Sequence, residues 1–198
     1  MELFIKIFLP IYFILFFGIS FVAKTIIIAR RIKKNPLVLP KDESAYALVG
    51  NYFKLCLVGI FGYVILFSFL SESCFLPIDF FDAELLKFVG ASLMLLALVW
   101  TIVAQNQMKN SWRIGIDNDT KTELITSGLF SISRNPVFLG MIVSLVGLFL
   151  ATPNAVSLLF LILGYVLIQV QIRLEEEFLY RQHSEKYLDY FEKTNRLL

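Results

Sequence analysis

Long apolar stretches alternate with polar and charged segments along this chain. A helix that crosses a bilayer needs about 20 mostly apolar residues. Residues 3–29, 48–70 and 85–104 each supply such a stretch. The pattern therefore predicts three transmembrane helices in the first half of the chain.

A fourth apolar stretch, residues 137–172, is interrupted by Thr152, Pro153 and Asn154. Proline cannot continue a helix interior, and its neighbours here are turn residues. We expect two helices in a hairpin, of about 15 and 18 residues, the first of which is short for a full span. The fold prediction is an all-α polytopic membrane bundle of about five transmembrane helices with a C-terminal helical hairpin.

The segment after Ile172 mixes charged residues with apolar ones at helical spacing, which predicts a tail helix with an interruption at Ser184. The apolar members are Leu174, Phe178, Leu179, Tyr187, Tyr190 and Phe191. An amphipathic helix in the membrane interface explains this pattern without any further function.

Composition places the chain among membrane proteins, since 58% of it is hydrophobic and only 17% is charged. A net charge of +2, with no basic cluster among aromatic residues, argues against nucleic acid as a partner. Cys56 and Cys74 form no ligand pattern, and one histidine is too few for a His-rich metal site. Because the first apolar run is long and follows Glu2, we expect a retained anchor, not a cleaved signal.

Charge in the connecting segments predicts the orientation, because Lys/Arg-rich loops stay cytoplasmic. The 71–84 loop contains four acidic residues and no basic one, whereas three other segments are basic. The basic residues are Arg30, Arg31, Lys33, Lys34 and Lys41, then Lys109, Arg113, Lys121 and Arg134, and finally Arg173, Arg181, Lys186, Lys193 and Arg196. Five spans with the N-terminus outside satisfy every loop and put residues 105–136 and 173–198 on the cytoplasmic side.

The segment before the hairpin is long and polar, which is typical of functional or disordered connections. Its apolar members, among them Trp112, Ile114 and Phe130, favour order, and an Asp-Asn-Asp turn occupies 117–119. Arg134 suits either a positive anchor or, with the free amides of a helix start, a receptor for an anion. Asn135 suits the N-cap and Pro136 the first helical turn.

Three carboxylates, Glu175 to Glu177, follow the last apolar run directly. They suit either a solvated start to the tail helix or a site for a cation or a set of hydroxyl groups. Anchoring explains them poorly, because the inner leaflet is usually anionic. His183 is interpreted as a surface side chain.

The stretch "LITSGLFSISRNPVFLG", followed after the hairpin by "EEEFLYRQHSEKYLDYFEKTNR", resembles the isoprenylcysteine carboxyl methyltransferase and phospholipid methyltransferase families. Those families carry L-V-T-x-G-x-[YF]-x-x-x-R-H-P-x-[YF]-x-G and, later, E-E-x-x-L-x-x-x-[FH]-G-x-x-Y-x-x-Y. The matching positions are Leu124, Thr126, Gly128, Phe130, Arg134, Pro136, Phe138 and Gly140, and then Glu175, Glu176, Leu179, His183, Tyr187 and Tyr190. The resemblance covers roughly residues 112–198.

This resemblance implies a single membrane domain, in which residues 1–107 form three transmembrane helices and residues 108–198 form the cofactor-binding half. It implies S-adenosylmethionine as methyl donor, held by the cytoplasmic loop and tail, and a lipophilic or amphiphilic acceptor. The implied cofactor-binding residues are Glu123, Leu124, Ile125, Phe130, Arg134, Asn135, Pro136, Val137, Phe138 and Glu175. The candidate catalytic residues, facing the acceptor, are Gln171, Arg173 and Glu176.

Two positions depart from the family pattern. Asn135 stands where the pattern has histidine, so this position cannot act as a general base near neutral pH. Gln171 stands where an arginine often faces the acceptor, and Arg173 is rotated from it by about 200° on a helix. A carboxylate acceptor needs no base, whereas an amine acceptor would need one, for which Glu176 or Tyr187 are candidates.

Two other functions fit the sequence less well. A membrane reductase of the sterol-reductase type, similar in its C-terminal half, would use NADPH and needs more basic residues than 112–140 contains. A non-catalytic membrane scaffold would fit a site altered at Asn135 and Gln171.

Overall fold

The computed structural model of the protein describes residues 1–37, 45–113, 115 and 123–198. Lys41, Ile114, Lys121 and the predicted turn at 117–119 lie outside the described residues. The described part is helical, with two isolated bridges, Pro77 to Asn154 and Ser133 to Asn195, and no strand. The all-α prediction is therefore confirmed for the described residues. Its physical basis is that in lipid a helix satisfies its own backbone hydrogen bonds.

Among the described residues, four apolar helical stretches are long enough to cross a membrane. The first combines α1 (Glu2–Phe17), a π-helical segment (Gly18–Ala23) and α2 (Lys24–Ile32), and the next two are α3 (Ala45–Phe69) and α4 (Glu84–Gln107). The C-terminal helices are α5 (Pro136–Ala151), α6 (Ala155–His183) and α7 (Glu185–Lys193). At 16 residues α5 falls short of a full span, as the sequence predicted, and α6 supplies the fourth long helix.

The spanning helices are apolar on their outer as well as their inner faces. Tyr12, Phe67 and Met94 are fully buried in the core between α1, α3 and α4. By contrast, Leu3 of α1 and Leu55 of α3 are 73% and 66% exposed. Large apolar side chains on both faces are expected of helices that contact lipid, which confirms a polytopic membrane bundle.

The predicted hairpin is confirmed, and Asn154 explains where its second helix begins. The Asn154 side-chain oxygen accepts from the Val156 and Ser157 backbone N–H groups at 3.1 and 2.9 Å. Its amide donates to the Tyr63 hydroxyl at 2.8 Å, which ties the turn to α3. A cap of this kind typically contributes about 0.5–2 kcal/mol to stability.

The helix α6 does not stop at the predicted membrane edge but continues to His183. Ser184 interrupts it, as predicted, with a left-handed φ of 49°. The amphipathic α7 then turns back towards the start of α5, and Tyr187 and Tyr190 are buried on its inner face. The fold thereby brings the two halves of the sequence motif together.

Candidate functional site

The arginine before the hairpin meets the acidic start of the tail at one buried ion pair. Arg134 Nε donates to Glu176 Oε1 at 3.1 Å, and the two side chains are only 6% and 8% exposed. The same guanidinium donates to the Phe191 carbonyl at 3.0 Å and to the Thr194 carbonyl. It also lies over the Phe191 ring, 4.1 Å from the centroid. Buried charges require such partners, since an unpaired one would be costly.

Glu176 is shared among three donors. Its Oε1 also accepts from the Asn135 amide at 3.1 Å, and its Oε2 accepts from Arg196 Nε at 2.9 Å. The Asn135 amide donates in addition to the Arg196 carbonyl at 3.1 Å. We call Arg134, Asn135, Glu176 and Arg196 the C-terminal latch, because they join the start of α5, α6 and the C-terminal segment.

Two further contacts extend the latch along the backbone. The Arg134 N–H donates to the Asn195 carbonyl at 2.9 Å. The Tyr190 hydroxyl donates to the Phe130 carbonyl at 2.6 Å. The segment before α5 is therefore fixed to the tail at Phe130 and at Arg134.

The segment 123–131 is also held against the end of α4. Gln107 Oε1 accepts from the Leu129 N–H at 2.8 Å, and Ser111 Oγ accepts from the Glu123 N–H at 3.2 Å. Gly128 has a φ of 67°, and a Cβ there would lie 2.6 Å from the Gln107 side chain. Glycine suits this position for both reasons, because a side chain would strain the left-handed backbone and displace the Gln107 amide.

A first cavity, of about 120 Å³, lies between this segment and the start of the tail. Its lining mixes carboxylates and guanidinium groups with apolar and aromatic side chains. The lining residues are Met108, Ser111, Arg113, Gly115, Glu123, Leu124, Ile125, Phe130, Arg134, Glu175, Phe178, Leu179 and Tyr190. We call this the polar cavity.

A second cavity, of about 540 Å³, lies between the first helical stretch, α3, α5 and α6. Most of its lining is apolar, which suits a hydrophobic ligand of lipid or drug size. The lining residues are Phe21, Val22, Thr25, Ile26, Leu37, Tyr46, Gly50, Phe53, Lys54, Leu57, Gln105, Trp112, Arg113, Gly115, Val137, Phe138, Met141, Gln171 and Glu175. We call this the apolar cavity.

The two cavities adjoin, because Arg113, Gly115 and Glu175 line both. At this boundary the Gln171 amide donates to Glu175 Oε1 at 2.8 Å and to the Tyr46 hydroxyl at 3.2 Å. Gln171 thus orients the carboxylate that both cavities share. The arrangement brings a small cavity with charged groups in its lining next to a larger apolar one.

The tyrosines of α7 are poorly suited to proton abstraction. Burial, together with the nearby Glu176 carboxylate, raises the pKa of Tyr187 to about 12. Burial also raises the pKa of Tyr190 above its usual value. Both phenols are therefore protonated throughout the neutral range, and Tyr190 acts here as a hydrogen-bond donor.

The predicted cofactor residues divide among three places. Glu123, Leu124, Ile125, Phe130, Arg134 and Glu175 line the polar cavity, while Val137 and Phe138 line the apolar one together with Glu175. Asn135 and Pro136 line neither described cavity. Asn135 belongs to the latch, and Pro136 begins α5, where its carbonyl accepts from the Trp100 indole at 2.9 Å. Asn135 occupies the predicted N-cap position, but its side chain makes no cap hydrogen bond.

The three candidate catalytic residues are also separated. Gln171 lies at the boundary between the cavities. Glu176 lies in the latch, where two arginines and Asn135 use its oxygens. Arg173 is exposed and donates to the Gln169 carbonyl one turn earlier, and it borders neither cavity.

Several lining residues were not predicted. Phe178 and Leu179 lie three and four residues after Glu175 on α6, so helical spacing from Glu175 would have found them. Met108 and Ser111, at the end of α4, carry no comparable signal in the sequence. The apolar lining from α1 to α3 could not be told from ordinary lipid-facing or packing residues.

A comparison with protein families agrees with this geometry. A family model for phospholipid methyltransferases matches residues 85–186, which is more than half of the chain. The match begins at the start of α4, before the first motif, and reaches the first residues of α7. It includes every residue that lines the polar cavity except Tyr190. No curated protein matches the chain significantly.

Proposed function

Because the chain belongs to the phospholipid methyltransferase family, we propose that this integral membrane methyltransferase uses S-adenosylmethionine to methylate a lipophilic or amphiphilic acceptor. The observation that carries the proposal is the junction at Glu175, where the polar and apolar cavities meet. Methyl transfer requires donor and acceptor to lie side by side in aligned positions. A cavity with charged groups in its lining, next to a larger and almost wholly apolar cavity, meets that requirement.

The lining of the polar cavity fits the chemistry of the donor. Leu124, Ile125 and Phe130 offer apolar surface to an adenine ring. The Glu123 and Glu175 carboxylates can accept from ribose hydroxyls or from the ammonium group. The Arg113 guanidinium brings positive charge to the same lining, which suits a carboxylate, whereas the Arg134 guanidinium is held in the latch.

The bound donor would supply a methyl group already activated on a positively charged sulfur. The protein's contribution is then positioning and the exclusion of water. Glu175 would hold a polar group of the donor at the boundary, and Gln171 fixes the direction of that carboxylate through its 2.8 Å hydrogen bond. Val137, Phe138 and Met141 would hold the acceptor against the same boundary.

The apolar cavity suits the hydrophobic part of the acceptor. Phe21, Val22 and Ile26 line it from the first helical stretch, while Phe53 and Leu57 line it from α3. These walls belong to helices that contact lipid, so an acceptor can enter from the membrane. We propose that the cavities open on the cytoplasmic side, as the basic residues of the loops and tail suggest.

Calorimetry on detergent-purified protein tests the donor. We expect saturable binding of S-adenosylmethionine and none of NADPH. Binding of NADPH alone would favour a reductase, and binding of neither would favour a scaffold, so either result contradicts the proposal.

A second experiment tests methyl transfer itself. The purified protein is incubated with a membrane lipid extract and a radiolabelled methyl donor. We expect the label in organic-soluble products, in amounts that depend on the protein. Label that stays in the aqueous phase, despite donor binding, would contradict a lipophilic acceptor.

A further inference from the structure

Asn135 is the one latch residue that donates two hydrogen bonds from a single uncharged nitrogen. Its amide nitrogen lies 3.1 Å from Glu176 Oε1 and 3.1 Å from the Arg196 carbonyl oxygen. Both neighbours are acceptors, which fixes the orientation of the amide. The residue is buried, so water does not compete for these hydrogens.

The latch acts on the polar cavity through residues adjacent to it. Glu176 neighbours Glu175 on α6, and Asn135 neighbours Arg134, and both of these neighbours line the cavity. Arg196 lines neither cavity. Its side chain nevertheless donates to Glu176 at 2.9 Å, and its carbonyl accepts from Asn135. Arg196 is thus joined to the two segments that carry the lining residues Arg134 and Glu175, although it does not line the cavity itself.

We propose that Asn135 is a positioning residue whose two amide hydrogens keep the latch closed, and with it the donor site, over the whole neutral pH range. This rests on the proposed function, since the ligand of the polar cavity is taken to be S-adenosylmethionine. Asn135 replaces a histidine of the family pattern with a group that cannot titrate.

A histidine at this position would behave differently. Neutral imidazole donates only one N–H, and it must be protonated to donate two. The charged and titratable groups around the position are Glu176 on α6, Tyr187 on α7, and Arg134 and Arg196. A histidine here would have one hydrogen for each acceptor at low pH and a hydrogen for only one of them as pH rises.

The test compares wild type with Asn135→His, with titrations from about pH 5.5 to about pH 8.5 that bracket the usual histidine pKa of about 6.5. The quantity compared is the ratio of the variant's S-adenosylmethionine Kd to that of wild type at each pH, because Glu175 and the donor's amino group are common to both measurements and cancel in the ratio. For Asn135→His we expect near wild-type affinity at the acid end and a loss of about tenfold at the alkaline end, because a hydrogen bond to a buried acceptor is lost. An identical pH profile for both proteins would overturn the proposal.

A readout without the donor separates the latch from the proposed function. Hydrogen exchange at the Arg134 amide, which donates to Asn195, reports directly on closure of the latch. At each pH the variant is compared with wild type. We expect extra exchange in Asn135→His at alkaline pH only. If wild type fails to bind S-adenosylmethionine but this difference appears, the proposed function fails and the latch stands.

Asn135→Asp provides a matched variant if the histidine protein does not fold. Aspartate has the same size but no hydrogens to donate at neutral pH, and it places a second carboxylate beside Glu176. We expect faster Arg134 exchange and weaker donor binding at every neutral pH. Wild-type exchange in a folded Asn135→Asp protein would equally overturn the proposal.

Discussion

Gly90 of α4 and Gly147 of α5 face each other so closely that neither tolerates a side chain. A Cβ added at Gly147 would lie 2.7 Å from the Gly90 carbonyl oxygen, and one added at Gly90 would lie 2.6 Å from the Gly147 carbonyl oxygen. Small residues allow this backbone approach between membrane helices, where packing drives association. The contact holds the short α5 against a full-length neighbour.

Gly147→Ala should therefore destabilise the protein. Because the obstructing atoms are backbone or the Met94 side chain, the helices must separate, at a cost of about 1–3 kcal/mol. The measurement is the midpoint of thermal unfolding in detergent. Gly62→Ala is the control, since a Cβ at Gly62 meets nothing within 4 Å and alanine is the better helix former. Equal midpoints for the two variants would contradict the close packing.

Filling the apolar cavity should impair acceptor use while leaving the donor site intact. Gly50 lines that cavity, and a Cβ there meets nothing within 4 Å, so a larger side chain can be accommodated. For Gly50→Phe we expect kcat/KM for the acceptor to fall by about tenfold or more, equivalent to about 1.4 kcal/mol. The Kd of S-adenosylmethionine should stay near its wild-type value.

Gly62→Phe is the matched control for this prediction. Gly62 lies on the same helix and also has open space around it, but it lines neither cavity. We expect its acceptor kinetics to remain close to those of wild type. If both phenylalanine variants lost activity equally, the effect would belong to α3 in general and not to the cavity.

Neutralising the Glu175 carboxylate should weaken the binding of S-adenosylmethionine. Glu175→Gln keeps the size of the side chain but removes the charge that we assign to the donor's hydroxyl or ammonium groups. We expect the Kd of S-adenosylmethionine to rise by about tenfold or more, since hydrogen bonds to charged groups contribute about 1.5–3 kcal/mol. Calorimetry measures the Kd, and the unfolding midpoint checks that the variant is folded.

Glu177→Gln provides the comparison two residues along the same helix. Glu177 is 57% exposed and pairs with Arg181 on the surface, an interaction of little energetic weight. The affinity of Glu177→Gln for S-adenosylmethionine should match that of wild type. Equal loss in both variants would point to the overall acidity of the segment instead of to Glu175.

The order of apolar and polar stretches was enough to predict most of the fold. The turn between α5 and α6 was predicted correctly because Pro153 and Asn154 have only one common role between two apolar runs. The end of α6 was not, since the helix continues past Ile172 to His183. The π-helical segment at Gly18–Ala23 was not predicted, since nothing in its apolar sequence distinguishes it from an ordinary turn. It matters here because Phe21 and Val22 line the apolar cavity.

The candidate site was predicted in outline but not in its division of roles. The resemblance to a methyltransferase family brought Arg134 and Glu175 to one place, and both line the polar cavity. It could not distinguish Glu175 from Glu176, because neighbouring helix residues differ by about 100° of rotation and the buried direction depends on packing. Nor could it predict that Arg196, near the chain end, would pair with Glu176.

The proposed orientation can be tested with a cysteine that the chain already has. Cys74 is exposed in the short helix Glu72–Phe75, within the acidic loop that we place outside the cell. A membrane-impermeant thiol reagent added to intact cells should label it, and Cys74→Ser should abolish the label. Cys56 lies within the spanning helix α3 and is expected to react slowly.

A cysteine on the opposite side completes this experiment. Lys193 is exposed at the end of α7, so Lys193→Cys in the Cys74→Ser background should be labelled only after the membrane is permeabilised. The reverse pattern would put the acidic loop inside and both cavities outside, away from the cytoplasmic supply of S-adenosylmethionine. Because Lys/Arg-rich segments favour the cytoplasmic side, we expect Cys74 to react first.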